Sequence, residues 1–122
     1  MYREIKVGEK NIPMLANGAT PLRYRMVFGK DIIAEFEHAE SDSGRATSSI
    51  SELAYIMTKA AEAQNGGEAM STLNMESYID WLEQFEPLDL TLSADEIIDL
   101  YMGNGKTLSE GKKKVEDAVK ET

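Results

Sequence analysis

Apolar and polar residues alternate over Tyr2-Arg3-Glu4-Ile5-Lys6-Val7, and the polar run Gly8-Glu9-Lys10-Asn11 separates them from a second short apolar stretch at 12–16. Period-two alternation on either side of a turn predicts a β-hairpin. Pro13 confines its return strand to an edge or an irregular pairing, because proline lacks the N–H that a ladder needs. The period then lengthens. Leu22, Met26, Gly29, Ile33 and Phe36 recur at helical spacing behind Thr20-Pro21, which read as an N-cap and a first helical residue. This predicts a first helix over about residues 21–38, with Gly29 on its buried seam as a point of close backbone approach.

The polar, small-residue segment 40–48 reads as a mobile loop. Ser49-Ile50-Ser51-Glu52 has capping-box spacing, and Ile50, Leu53, Ala54, Met57, Ala60 and Ala61 form an apolar stripe behind it. A second helix is therefore expected to end near Gln64, before Asn65-Gly66-Gly67. A third, about 75–85, places Met75, Tyr78, Ile79, Leu82 and Phe85 on one face, and Pro87 stops it. Ser93-Ala94-Asp95-Glu96 is a second capping box, opening a short fourth helix with Ile97, Ile98, Leu100 and Tyr101 that Gly103-Asn104-Gly105 ends. From Thr107 onward only Leu108, Val115, Ala118 and Val119 are apolar, too few for an independently stable helix. The predicted fold is α+β, mostly α: an N-terminal β-hairpin, about four amphipathic helices and a flexible C-terminal tail. Residues 1–106 form a single domain, and 107–122 a flexible or marginally helical tail.

Composition narrows the function classes. A chain of 122 residues with 42% hydrophobic and 29% charged residues has the size and balance of one globular domain. Its longest apolar runs fall far short of the ~20 residues a spanning helix needs, and Met1-Tyr2-Arg3-Glu4 lacks the layout of a signal peptide, so a cytoplasmic location is expected. The absence of cysteine removes disulfides, thiolate metal sites and cysteine nucleophiles. Charge is unevenly divided: residues 1–33 carry six bases against three acids, a net of +3, and the remainder carries −12. Between Glu76 and Asp99 stand eight acids and no lysine or arginine, which disfavours phosphate contacts through that surface.

Candidate chemistry is sparse. His38, the only histidine, falls at a helix end where a cation is favoured without any catalytic role. Asp95 and Asp99 lie four apart, yet a lone acidic pair has too few ligands for calcium or magnesium. The glycine clusters match no phosphate-binding fingerprint. No catalytic, cofactor-binding or metal-binding residue is assigned. Of the seven methionines, Met26, Met57 and Met75 fall on expected core stripes, whereas Met14, Met70 and Met102 lie near element ends and are the better candidates for a partner groove, with a core role still the favoured reading. Trp81 and Phe85, four apart, are expected to close the core.

The segment Ala19-Thr20-Pro21-Leu22-Arg23-Tyr24-Arg25-Met26-Val27-Phe28-Gly29-Lys30-Asp31 resembles the tail assembly chaperones of long-tailed phages and prophages of Gram-positive bacteria. The order continues through Trp81-Leu82-Glu83-Gln84-Phe85-Glu86-Pro87-Leu88-Asp89-Leu90, the stretch Glu96-Ile97-Ile98-Asp99-Leu100-Tyr101, Asn104-Gly105-Lys106 and Lys112-Lys113-Lys114, over roughly residues 1–114. The resemblance implies a non-enzymatic protein of the host bacterial cytoplasm. It would bind the tape measure protein, keep it soluble and extended, and yield it as the major tail protein polymerises. It also raises a frameshifted longer product arising near the lysine run, and a homo-oligomer is compatible with it. No nucleic acid, membrane or cofactor is implied. On the basic first helix, Arg23, Arg25 and Lys30 are expected to dock a partner electrostatically, with Tyr24 and Phe28 as anchors. Reversing the three charges together is expected to leave the fold intact. The alternative is a small acidic adaptor or inhibitor, including a nucleic-acid mimic, suggested by the acidic stretch 76–99. An enzyme using Asp95 and Asp99 with a metal ranks last.

Overall fold

A computed structural model of the chain describes residues 1–38, 41–66 and 73–103. The element order is β1 (Tyr2–Val7), β2 (Lys10–Leu15), α1 (Thr20–Phe28), α2 (Ile32–His38), α3 (Ser43–Gln64), α4 (Met75–Leu82), α5 (Asp89–Leu92) and α6 (Ala94–Met102). This is an α+β fold, mostly α, with the hairpin at its N-terminus. The expected tail and the marker residues beyond Gly103 lie outside the described residues.

The hairpin is antiparallel, with Ile5 opposite Ile12 and Val7 opposite Lys10 across a two-residue turn. Gly8 supplies the left-handed backbone that this tight turn needs, at φ +63°. Ile5, Val7, Ile12 and Met14 all point to one face and are buried. In a two-stranded sheet each strand is an edge, so Pro13 pairs with Glu4 without interrupting a third strand. Met14 is fully buried, in line with the favoured core reading and not with a partner groove.

Helix α3 is the axis of the fold, packing against β2 and against every other helix. Positions 49–58 are buried without a break, which is the signature of a helix covered on all sides. The expected stripe from Ile50 to Ala61 is all buried, and so are Tyr55, Ile56 and Thr58 on other faces. The helix starts earlier than the capping-box reading implied. Asp42 is its N-cap, accepting from the Arg45 N–H at 3.1 Å, so residues 43–48, expected in a mobile loop, form its first turns. The Ser49 and Ser51 hydroxyls donate back to the carbonyls of Arg45 and Thr47, four residues earlier, and cap nothing.

The expected first helix is two. Its N-cap is Ala19 rather than Thr20, whose hydroxyl accepts from the Asn17 N–H. Gly29 ends α1 in a left-handed C-cap, φ +69°, with its N–H on the Arg25 carbonyl. A Cβ at Gly29 would meet nothing within 4 Å, so no backbone approaches it. The Asp31 carboxylate then accepts from the Ile33 N–H and α2 begins.

Helix α4 stops at Leu82, well before Pro87, and buries Tyr78 and Trp81 rather than the whole expected face. The short α5 between it and α6 was not expected. Ser93 does precede α6 as N-cap, but its hydroxyl donates to the Lys6 carbonyl at 2.8 Å and ties α6 to the hairpin. Gly103 ends α6 as expected, at φ +78°.

Candidate partner-binding surface

The five candidate residues on and after α1 separate into an inner and an outer group. Tyr24 is fully buried, and its hydroxyl donates to Glu52 Oε1 at 2.7 Å. Lys30, in the turn after α1, donates from Nζ to both oxygens of Glu52 at 3.1 and 2.9 Å and lies 3.7 Å from Glu35 Oε1. Arg45 reaches back from the first turns of α3 to place its Nε 2.6 Å from Glu35 Oε2. The carboxylate side chains of Glu35 and Glu52 are only 2% and 6% exposed. Two ions taken out of water require paired cations, and Lys30 and Arg45 provide them. The cluster joins α1, α2 and α3, so Lys30 is a structural cation before it is anything else.

Phe28 belongs to the same inner side. Its ring lies 5.3 Å from Tyr24, 6.3 Å from Tyr55 and 5.1 Å from Tyr78. Tyr55 meets Trp81 at 5.7 Å and Trp81 meets Phe85 edge-on at 5.0 Å, carrying an aromatic row from α1 across α3 to α4. Burial and the neighbouring Glu52 charge hold the Tyr24 hydroxyl far above the usual tyrosine range. Tyr78 is pushed up to about 12 by burial, with the Glu52 charge adding to it. Burial also raises Tyr101, whose ring packs edge-on against Phe36.

Arg23 and Arg25 form the outer group with Leu22 and Met26, which are 60% and 76% exposed. The expected core seam thus faces solvent at its first two positions. The break at Gly29 explains the reversal, because Ile33 and Phe36 belong to a different helix and their phase does not extend back to Leu22 and Met26. Arg3 and Arg45 are engaged in ion pairs, Arg3 with Asp99 at 3.0 Å, whereas neither Arg23 nor Arg25 pairs with any described residue.

Exposed apolar side chains recur at four-residue spacing on two other helices. Met75 and Ile79 on α4 are 50% and 52% exposed, and Leu88 and Leu92 bracket α5 at 64% and 82%. Met75 is therefore not the core residue expected, and neither is Met26, whereas Met57 is. Met102 is half-buried, and Met70 lies outside the described residues.

A cavity of about 450 Å³ lies beside the hairpin turn, lined by Gly8, Lys10, Gln84, Phe85 and Asp89 among others. Three of its polar side chains have structural partners. Lys10 Nζ donates to Gln84 Oε1 at 3.3 Å, and Asp89 Oδ2 accepts from the Glu86 N–H at 2.9 Å. A Cβ on Gly8 would lie 2.5 Å from that same Asp89 oxygen. Asp99, one of the two acids weighed for a metal, pairs with Arg3, and no group of three metal-ligating side chains gathers among the described residues. His38 is exposed in the last turn of α2. No helix among the described residues is long and apolar enough to cross a membrane.

The buried acids were the residues that sequence reading missed. From the sequence Glu52 reads as a capping-box member, and no role attaches to Glu35. Glu35 stands inside the apolar run Ile32 to Phe36, and that placement was the available signal, whereas Glu52 sits between Ser51 and Leu53 and its immediate neighbours give none. In comparisons with known proteins, no family model matches the chain, and no curated protein or solved structure is significantly similar to it.

Proposed function

We propose that the chain is a non-enzymatic binding protein and, on its resemblance to the tail assembly chaperones, that it holds a tape measure protein soluble during phage tail assembly in the host bacterial cytoplasm. The observation that supports this reading is the recurrence of exposed apolar pairs at helical spacing, Leu22 with Met26 above all, on a fold whose core is otherwise well covered. Apolar ridges of this kind match the apolar stripe of a partner helix. Arg23 and Arg25 beside the ridge favour a partner with acidic flanks, and their reach would speed its encounter. Tyr24 and Phe28 face the interior and the half-exposed Lys30 is held by Glu52, so the three fix the position of α1 rather than anchor the partner. The excess negative charge elsewhere suits a protein that keeps an insoluble partner dispersed.

Co-expression with a phage tape measure protein tests the reading. The partner should become soluble and copurify, and the Leu22→Gln/Met26→Gln variant should lose it while remaining folded. A partner that stays insoluble with the intact chain present would overturn the proposal. Salt-sensitive inhibition of a DNA-binding enzyme would instead favour the acidic-mimic reading.

A further inference from the structure

Two helices expose apolar pairs of the same spacing under opposite charge. On α1, Leu22 and Met26 are flanked by Arg23 and Arg25, and the side opposite them carries the buried Tyr24. On α4, Met75 and Ile79 stand beside Glu76, Asp80 and Glu83, all exposed. None of these five charged residues pairs with a described residue. Four-residue spacing on both helices gives ridges of equal pitch, which interdigitate when two helices pack. Charges of one sign beside each ridge then meet charges of the other.

We infer that a second copy of this chain is the occupant of each face, α1 of one copy lying on α4 of the next. The inference does not rest on the chaperone reading, since both complementary surfaces are on this chain. Charge complementarity argues against like faces meeting, because α1 on α1 would oppose arginines and α4 on α4 would oppose carboxylates. The contact joins unlike faces, so it either closes reciprocally in a two-fold dimer, α1 of each copy on α4 of the other, or leaves one face of each kind open and continues until a ring closes or a filament grows. Four apolar side chains per contact make a small interface, below the roughly 1,200 Å² of stable complexes, so the association is weak and concentration-dependent. Because α1 also carries the proposed partner surface, self-association and partner docking compete for it.

Sedimentation of the intact protein from micromolar to millimolar concentration should show a dimer or larger species accumulating. Their affinity should weaken roughly tenfold when salt rises from about 0.05 to about 0.5 M. Leu22→Gln/Met26→Gln disables one face and Met75→Gln/Ile79→Gln the other, and each variant alone should remain monomeric. Mixed, they retain one intact contact between them and should form a 1:1 dimer that grows no further. Circular dichroism checks that each is folded; should either unfold, Arg25→Ser or Glu83→Ser replaces it with the expectation of weakened association. A wild-type monomer at millimolar concentration, or an α4 variant that still dimerises by itself, would overturn the inference without bearing on capture of a tape measure protein.

Discussion

The inner and outer sides of the segment around α1 use the same residue types to opposite ends. Inside, Tyr24 and Lys30 bond the Glu52 carboxylate, which burial has stripped of water, and Phe28 fills the space between three tyrosine rings. Outside, five residues before Lys30, Arg25 has no described partner and stands beside a 76% exposed methionine. A basic residue near a helix is therefore a poor guide to a docking site until its partner is known. Substitutions on the two sides should differ in stability by far more than their chemistry suggests.

Alkaline pH is the strongest way to break the inner side. A tyrosine raised in the folded state binds its proton more tightly there than in the unfolded chain, so its stabilisation is complete below about pH 10 and falls as pH rises further. For Tyr78 the loss runs from about pH 10 to about 12, and for Tyr24 it continues beyond. Each contributes roughly 1.4 kcal/mol per pH unit within its window. Urea titrations at pH 9, 10 and 11 should show a steepening loss, and Tyr24→Phe should flatten it. An unchanged profile in that variant would mean that burial and Glu52 do not raise the Tyr24 hydroxyl in the folded state.

Lys30→Ala comes next. It leaves Glu52 with the Tyr24 hydroxyl alone and Glu35 with Arg45 alone, which should cost about 2–4 kcal/mol in chemical denaturation. Restoring charge with Lys30→Arg should recover part of this. The same cluster overturns the expectation that reversing Arg23, Arg25 and Lys30 together leaves the fold intact, since a glutamate at 30 would add a third acid to two buried ones.

Gly29→Ala is expected to cost about 1 kcal/mol through its left-handed backbone, not through crowding, because the space around its missing Cβ is empty. Gly29→Asn should be milder, since asparagine tolerates that conformation better. Equal losses for both would point instead to a contact at this site.

What was legible in the sequence followed from local periodicity. The hairpin, the stripe from Ile50 to Ala61 and the stop at Gly103 each depend on a short window, and each was expected where it lies. What failed depended on phase carried across a break or on a side chain's distant partner. Gly29 suits both a close approach inside a helix and a left-handed end to one, and only the second ends the phase. Ser49, Glu52 and Ser93 have capping chemistry, yet Glu52 bonds Tyr24 and Lys30 and Ser93 bonds Lys6, 87 residues away. Nothing in a four-residue window encodes such a partner. Of the candidate site, the segment was legible and the direction each side chain faces was not.

Arg25→Ala carries the smallest expected effect and is the sharpest control on the comparison. Alanine has the better helix propensity, a gain of a few tenths of a kcal/mol at most. Arg25 stands in the last turn of α1, where a cation interacts favourably with the helix dipole, and removing it loses a similar amount. The two offset, and stability should change by less than about 0.5 kcal/mol. The folded protein should also lose little from its interior, since no described group depends on this guanidinium. A loss above about 1 kcal/mol would mean that Arg25 is paired in the folded chain, and the outer side of α1 would then be part of the scaffold like the inner one.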